Sequence, residues 1–128
     1  MAGYLTNIEK ATLDNAKFRK VLFTGPHAQL VLMALGPGEE IGLETHDDVD
    51  QFIRVEAGRG VVLLDGTEHT VEDGSAVVIP AGTAHNVINS SRTEALKLYT
   101  IYSPPEHPDG TVHETKAEAD AYEREHHR

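Results

Sequence analysis

The stretch GLETHDDVDQFIR, residues 42–54, concentrates side chains that could bind a metal ion. It holds one histidine, His46, together with four acidic residues and Gln51 around a turn. The chain has no cysteine, so a metal here would be held by imidazole, carboxylate or amide oxygen. The stretch is therefore either a metal site with an unusual ligand set or a solvated acidic loop beside a strand.

A second segment, GSAVVIPAGTAHNVIN, carries a more specific pattern. It has the spacing G-x5-P-x-G-x2-H-x3-N, occupied by Gly74, Pro80, Gly82, His85 and Asn89. The pattern predicts a strand that ends at Ile79, a reversal, and a second strand that opens with His85 pointing into a barrel. This spacing resembles the second motif of the cupin superfamily.

The first segment is similar to the other cupin motif, G-x5-H-x-H-x3,4-E-x6-G, counted from Gly38 to Gly58. Two positions depart from it: a glutamate replaces the first histidine, and a glutamine replaces the usual glutamate. The resemblance covers about residues 30–102. It implies a double-stranded β-helix (jelly-roll) barrel holding one divalent metal ion, with four ligands: Glu44, His46, Gln51 and His85.

This ligand set keeps the charge of the family's usual set, because three histidines and a glutamate also carry one negative charge. Two imidazoles and a carboxylate form the facial triad that suits Fe(II), with Gln51 as a weaker neutral ligand. Mn, Zn and Ni remain open. The alternative is a metal-free barrel in which Glu44 and Gln51 hydrogen-bond internally. The remaining acids of the stretch are predicted to form a solvated turn: Asp47, Asp48 and Asp50.

Short runs rich in Val, Ile, Leu and aromatic residues must position these side chains: FRKVLF, AQLVLMAL, QFIRVEA, GVVLLDG, TEHTVE, SAVVIP, HNVIN and LKLYTIY. Turn residues flank each of these runs. The pattern predicts an all-β sandwich or barrel. Asp65-Gly66 is the clearest hairpin signal. We expect one cupin domain over 1–128, with N-terminal strands in 18–35. A capping box at Thr115–Glu118 predicts a helix over about 115–127, packed outside the barrel.

Other polar and aromatic residues receive plainer interpretations. Arg54 falls on the strand face opposite Gln51, so we expect it outside the core. Asn89 is expected to secure a turn. The histidines outside the motifs are predicted to lie on the surface or, for the last two, to close the helix: His27, His69, His107, His113, His126 and His127. Four residues are expected in the core or pocket wall, and one of the tyrosines could move protons: Met33, Phe52, Tyr99 and Tyr102.

The net charge of −10 argues against nucleic acid and anionic membranes as partners. The first twenty residues contain no apolar stretch long enough for a signal sequence, and no apolar run could span a bilayer. We therefore expect a cytoplasmic protein. Because the strands FRKVLF and AQLVLMAL could pair across a two-fold axis, we expect a homodimer.

These observations favour a metal-dependent enzyme acting on a small oxygen-rich molecule. Lewis-acid isomerase or lyase chemistry and Fe(II) dioxygenase chemistry both fit the ligand set. The alternative is a non-catalytic module that binds a small ligand or sugar. Phosphosugar isomerase activity, suggested by similarity to mannose-6-phosphate isomerase-like cupins, is a weaker alternative. The motifs have few nearby cations to hold a phosphate: Arg54, Arg59, Arg92 and Lys97.

Overall fold

The computed structural model describes residues 2–126, so the predicted helix-closing residue His127 lies outside it. Two antiparallel sheets face each other, which confirms the all-β jelly-roll prediction. One has six strands in the order β6-β3-β8-β2-β1-β9, and the other has the order β5-β4-β7. The elements are α1 Ile8–Asp14, β1 Arg19–Thr24, β2 Gln29–Leu35, β3 Asp50–Ala57, β4 Arg59–Leu64, β5 Thr67–Glu72, β6 Ala76–Ile79, β7 His85–Asn89, β8 Leu96–Ser103, β9 Val112–His113 and α2 Lys116–His126.

The core lies between the sheets because alternate residues of each strand point inward. On β3, Gln51, Ile53 and Val55 are buried, whereas Arg54 is only partly buried on the opposite face, as predicted. At the bend before β4, a side chain on Gly58 would collide with the Ala95 carbonyl oxygen, and its φ of 92° also favours glycine. The strand alternation therefore decides which polar side chains enter the barrel.

The segment 39–46 extends the smaller sheet without forming a regular strand. Glu44 and His85 exchange backbone hydrogen bonds of 2.9 and 2.8 Å, and Ile41 N–H donates to the Val87 carbonyl oxygen at 2.9 Å. Only two isolated bridges, at Glu40 and Glu44, mark this pairing. The segment therefore runs antiparallel to β7 and brings the first motif beside His85.

The local turn predictions are confirmed, and one of the two hydrogen bonds of the predicted capping box is present. Asp65 and Gly66 both have positive φ, 48° and 84°, and join β4 to β5 in a two-residue hairpin. Thr115 Oγ1 accepts a hydrogen bond from Glu118 N–H at 3.1 Å at the start of α2. Asn89 secures its turn by donating to three carbonyl oxygens, those of Leu35, Gly36 and Glu94.

Helix α1 and the pairing of the first two strands differ from the sequence-based expectations. Helix α1 was not predicted; Asn7 caps it by accepting from Lys10 N–H at 3.0 Å, and its short, mostly polar sequence gives almost no apolar stripe. Strand β2 has no free edge, because β1 and β8 pair with its two sides. Part of β1 is also covered, since Arg19 and Lys20 pair with β9. Edge pairing through β2 is therefore not available for a dimer.

Candidate metal centre

Three of the four predicted ligands converge inside the barrel. Glu44, His46 and His85 each offer a ligand atom, and these atoms all lie within 4.8 Å of one another. The ring centroids of His46 and His85 are 5.3 Å apart. Glu44 and His46 come from the irregular segment, and His85 opens β7 as the motif predicts. One carboxylate and two imidazoles at this spacing can bind a divalent cation.

The hydrogen bonding of His85 fixes which of its nitrogens faces the centre. Nδ1 lies 2.9 Å from the Thr83 carbonyl oxygen. A carbonyl only accepts, so Nδ1 carries the proton, and Nε2 of the neutral ring is an acceptor. Nε2 is buried, and no residue of 2–126 gives it a hydrogen bond. A buried lone pair without a donor is costly, and a bound cation would satisfy it.

Gln51 presents a second unpartnered acceptor. It is 4% exposed, and its Nε2 donates to Thr100 Oγ1 at 3.0 Å, which leaves Oε1 buried and without a partner among the described residues. Gln51 pairs directly with Tyr102 on β8, so the two side chains share the inner face of the sheet. The Tyr102 ring lies 6.3 Å from the His46 ring. Gln51 thus lies on the inner wall of the barrel, on the same face as Tyr102, and its carbonyl oxygen accepts no hydrogen bond from residues 2–126.

Glu106, from the proline-rich segment, is a site residue that the sequence did not reveal. Its Oε2 lies 3.4 Å from Nδ1 of His46. A carboxylate on Nδ1 favours the tautomer whose Nε2 is free to bind a metal. Burial raises the pKa of Glu106 above its ordinary value, and the neighbouring His46 opposes this rise. Glu106 therefore orients His46. The position of Glu106 depends in turn on the loop that carries it.

Gln29 holds that loop in place. Its Oε1 accepts hydrogen bonds from the backbone N–H groups of Glu106 and His107, at 3.2 and 3.0 Å. Its Nε2 donates to the His107 carbonyl oxygen at 2.7 Å. Gln29 is 1% exposed and lies at the start of β2, paired with Tyr102. A buried amide on the rigid sheet thus fixes two loop residues that face the site.

Tyr102 and His107 complete the wall beside the centre. His107 Nε2 lies 3.4 Å from Tyr102 Oη. Burial raises the pKa of Tyr102 above its ordinary value, so the phenol keeps its proton at neutral pH. Burial also lowers the pKa of His107 to about 3, so its ring is neutral at neutral pH. Tyr102 can donate a hydrogen bond to a ligand, but it is a poor base there.

The predictions for the remaining histidines and acids are partly correct and partly wrong. His27 and His69 are exposed, as predicted. The surface interpretation is wrong for His107, which is partly buried, and for His113, which is 6% exposed under α2. Their positions follow from the packing of the chain after β8, for which the sequence has no periodic signal. The three acids of the turn are exposed, as predicted: Asp47, Asp48 and Asp50.

A cleft of about 620 Å³ lies beside the cluster, between the segment after β8 and the end of α2. It is lined by Thr45, Glu106, His107, Pro108, Tyr122, Glu123 and His126. Thr45 lies between two of the cluster residues, and Glu106 contacts His46. The cleft is large enough for a small molecule next to the centre.

The fold and the motifs define the class of protein. The cupin domain family matches residues 31–102, more than half of the chain, so the protein belongs to the cupin family. It is 55% identical over 126 residues to the uncharacterized protein YrkC of Bacillus subtilis (strain 168), a match covering 94% of this chain and 67% of YrkC. It is 50% identical over 112 residues to an uncharacterized protein of Acanthamoeba polyphaga mimivirus, with 85% and 70% covered.

A solved structure is also similar over almost the whole chain. The crystal structure of a protein from Bacillus halodurans at 1.41 Å resolution matches with a TM-score of 0.91 and 50% identity. The match covers 94% of this chain and 95% of that one. Within residues 2–126, neither helix is long and apolar enough to cross a bilayer.

The donor set fits a divalent metal ion. A carboxylate, two imidazoles and an amide oxygen are ligands that such ions accept. Two of these groups, His85 Nε2 and Gln51 Oε1, are buried acceptors that no described residue satisfies. Glu106 and Thr83 contact the other nitrogens of the two imidazoles. Imidazoles whose second nitrogen contacts a carboxylate or a carbonyl oxygen in this way are typical of metal sites.

Proposed function

We propose that this cupin is a metal-dependent enzyme acting on a small oxygen-rich molecule, with Glu44, His46, Gln51 and His85 as the metal ligands. The observations that carry the proposal are the convergence of Glu44, His46 and His85 and two buried acceptors, His85 Nε2 and Gln51 Oε1, that no described residue satisfies. A barrel without metal would bury both acceptors at a cost of about 1–3 kcal/mol each.

When bound, the ion supplies Lewis-acid polarisation of ligand oxygen atoms or, as Fe(II), oxygen chemistry. The chain's own residues hold and orient the reacting molecule. Glu44 supplies the negative charge of the centre, and Thr100 fixes the Gln51 amide so that its oxygen faces inward. Tyr102 keeps its proton and donates a hydrogen bond, while Glu106 orients His46. Isomerase or lyase chemistry and dioxygenase chemistry are the two branches of the proposal.

A non-catalytic module that binds a small ligand or sugar is the second candidate. The protonation states of Tyr102 and His107 favour this candidate. At neutral pH Tyr102 keeps its proton and the His107 ring stays neutral, so neither side chain exchanges protons readily. Phosphosugar isomerase activity is the weakest candidate. Arg59 and Arg92 are exposed, and Lys97 donates to the Leu13 carbonyl oxygen instead of facing the centre.

Metal analysis of protein purified without added metal or chelator tests the proposal. We expect about one ion per chain, lost in Glu44→Ala and in His85→Ala. Asp48→Ala, which removes an exposed acid of the adjacent turn, is the matched control and should keep the ion. Metal-free wild-type protein of unchanged stability would contradict the four-ligand site.

Oxygen uptake then separates the two branches. The metal-loaded protein is incubated with a panel of small hydroxy acids, oxo acids and sugars in an oxygen electrode. Consumption that depends on His85 indicates dioxygenase chemistry. Turnover of a panel member without oxygen consumption indicates isomerase or lyase chemistry, whereas tight binding without turnover favours the binding module.

We also propose that the protein is a homodimer. The outer face of the larger sheet carries an apolar row, one residue on each of five neighbouring strands in direct register: Val78, Phe52, Ile101, Leu30 and Phe23. Val78 is 66% exposed. A two-fold axis through the middle of this row would place it against itself in a second copy.

Light scattering on a sizing column tests the dimer. We expect twice the chain mass of 14.0 kDa for the wild type and a single chain for Val78→Glu. Leu43→Glu, at a position 73% exposed away from the row, should remain dimeric. A monomeric wild type would remove the proposal. The cytoplasm is our proposed compartment, compatible with a chain free of cysteine, and cell fractionation tests it.

A further inference from the structure

The segment 39–46 pairs with β7 in two registers that differ by one residue. Glu40 lies opposite Ile88, and Glu44 lies opposite His85. Between these two bridges the segment advances four residues, from 40 to 44, whereas β7 advances only three, from 88 to 85. One extra residue on one side of an antiparallel pair is a β-bulge, which bends the strand and can re-aim a side chain.

The bulge falls at Gly42 and Leu43, which together lie opposite Asn86. On one side of it, Ile41 N–H donates to the Val87 carbonyl oxygen at 2.9 Å, so Asn86 is the one residue of β7 left before the next bridge. Gly42 has a φ of 114°, a backbone conformation that favours glycine. The irregularity of this segment is therefore a defined bulge with a glycine at its first position.

The bulge changes which side chains enter the barrel. In an uninterrupted strand, inward residues are two apart, so Ile41, Leu43 and Thr45 would share one face. Ile41 does pack against the core, but Leu43 is 73% exposed and Thr45 is exposed as well. The next inward side chains are instead Glu44 and His46, two members of the cluster. Without the extra residue, both would face away from the barrel interior.

Asn86 holds this bulge with both ends of its side-chain amide. Its Oδ1 accepts a hydrogen bond from Gly42 N–H at 2.8 Å, and its Nδ2 donates to Glu40 Oε1 at 3.1 Å. A bulge takes one residue out of the backbone ladder, and here the Asn86 side chain supplies the acceptor for that residue. Asn86 is 5% exposed, so removal of its amide would leave the Gly42 N–H without a ready substitute.

We propose that Asn86 is a positioning residue of the metal centre, whose side-chain amide fixes the bulge that turns Glu44 and His46 towards His85. Asn86 follows His85 on β7, so its own side chain lies on the opposite face of that strand. It therefore acts through the backbone of Gly42. Its effect on metal affinity rests on the proposed metal function, whereas its effect on the position of His46 does not.

In full-length protein freed of metal with a chelator, the contact between the His46 and His85 rings reports the bulge. Their centroids are 5.3 Å apart, close enough for a nuclear Overhauser effect between ring protons. We expect this effect in the wild type and its loss in Asn86→Ala. Asn15→Ala is the matched control and should keep the effect. Asn15 is also buried, and its amide likewise donates one hydrogen bond and accepts one, both with the Lys17 backbone.

Metal affinity is measured on the same proteins by competition with a chromogenic chelator. Asn86→Ala should weaken metal binding by about tenfold or more, because two ligands lose their fixed position. Asn15→Ala should change it by less than about threefold, since Asn15 shares no contact with the site. Asn86→Asp alone places a second carboxylate beside Glu40 and should also weaken binding. Asn86→Asp combined with Glu40→Gln reverses donor and acceptor and should recover most of the affinity.

Gly42→Ala disturbs the bulge without touching the amide, and it keeps the test valid if Asn86→Ala does not fold. Gly42 and Gly74 both have positive φ, 114° and 90°, and apart from chain neighbours no atom of residues 2–126 lies within 4 Å of a Cβ built on either. Gly42→Ala should therefore lose the ring contact through backbone strain alone. Gly74→Ala, in the turn before β6, should keep it.

Two results would overturn the positioning role of Asn86. One is an unchanged ring contact in both Asn86→Ala and Gly42→Ala. The other is a metal affinity in Asn86→Ala no weaker than that of Asn15→Ala. A wild type that takes up no metal overturns the metal function instead, and the ring contact then decides alone whether Asn86 places His46.

Discussion

The turn at 47–50 and the segment at 104–110 make opposite contributions to the site. The turn is rich in acids, yet Asp47, Asp48 and Asp50 all lie in solvent. The proline-rich segment looks irregular in sequence, yet it supplies Glu106 against His46 and His107 against Tyr102. Density of charge therefore does not locate the site. What matters is whether the backbone is tied to an inward-facing position of the barrel.

The segment is tied more firmly because its anchor is buried. Gln29, on a central strand, makes three hydrogen bonds to the backbone of Glu106 and His107. In the turn, Asp50 makes one such bond, to Ala81 N–H at 2.8 Å, from an exposed position. A buried bond cannot be replaced by water, whereas an exposed one can. Three measurements test this difference between the segment and the turn.

The largest effect on folding is expected from Gln29→Leu. The substitution leaves two backbone N–H groups and one carbonyl without their partner, so we expect a loss of about 2–4 kcal/mol in the free energy of unfolding. Asp50→Ala should cost less than about 1 kcal/mol, because water reaches the released Ala81 N–H. Urea unfolding followed by circular dichroism measures both. Similar losses for the two variants would show that the segment is not anchored by Gln29.

An intermediate effect is expected on metal affinity from the acid that contacts His46. Glu106→Gln removes the charge behind His46 and should weaken metal binding by roughly 10–100-fold, the range found for partners of metal-bound histidines. Asp48→Asn removes a charge of the exposed turn and should change affinity less than about threefold. Competition titration with a chromogenic chelator gives both values. Equally weakened metal binding in the two variants would mean that the metal affinity depends only on the overall charge.

The third effect is a pH dependence of the free energy of unfolding that arises from His107. Its pKa falls from 6.5 in the ordinary state to about 3 in the fold, so the unfolded chain takes up a proton first as pH falls. The stability that neutral His107 contributes is complete above about pH 6.5 and is lost as pH falls from 6.5 towards 3. His107→Gln should make this loss shallower by at most about 1.4 kcal/mol per pH unit.

Unfolding free energies at pH 7, 6, 5 and 4 check this slope in the metal-free protein. His27→Gln is the matched control, because His27 is exposed, and its slope should equal that of the wild type. An unchanged slope in His107→Gln would mean that the ring is hydrated in the fold. That result would also weaken the distinction between the segment and the turn.

The barrel and its hairpins could be predicted from the sequence because their signals are local. Strand periodicity, the Asp65-Gly66 turn and the Thr115 cap each depend on residues within a few positions of one another. The motif at 74–89 placed His85 at the start of a strand, and β7 begins there. Helix α1 escaped prediction because its buried residue, Thr12, is polar and its length is only seven residues.

The supporting groups of the site could not be predicted in the same way. Gln29 and Arg19 are polar residues of two strands, and nothing in the sequence says that both are buried. Their partners are far along the chain, since Gln29 binds the backbone at 106–107 and Arg19 lies against His113. Such contacts depend on how β1, β2 and the segment after β8 meet in space.

The sequence by itself determined the β-barrel and the motif spacing of Glu44, His46, Gln51 and His85, because strand alternation and turn chemistry act over short distances. Only the tertiary structure decided that Glu106 and His107 face the site while the acidic turn faces solvent. It also decided that Arg19 is buried and forms no ion pair with another residue of 2–126. The physical reason is that burial and charge compensation depend on which strands and loops pack together, and that packing joins residues more than seventy positions apart.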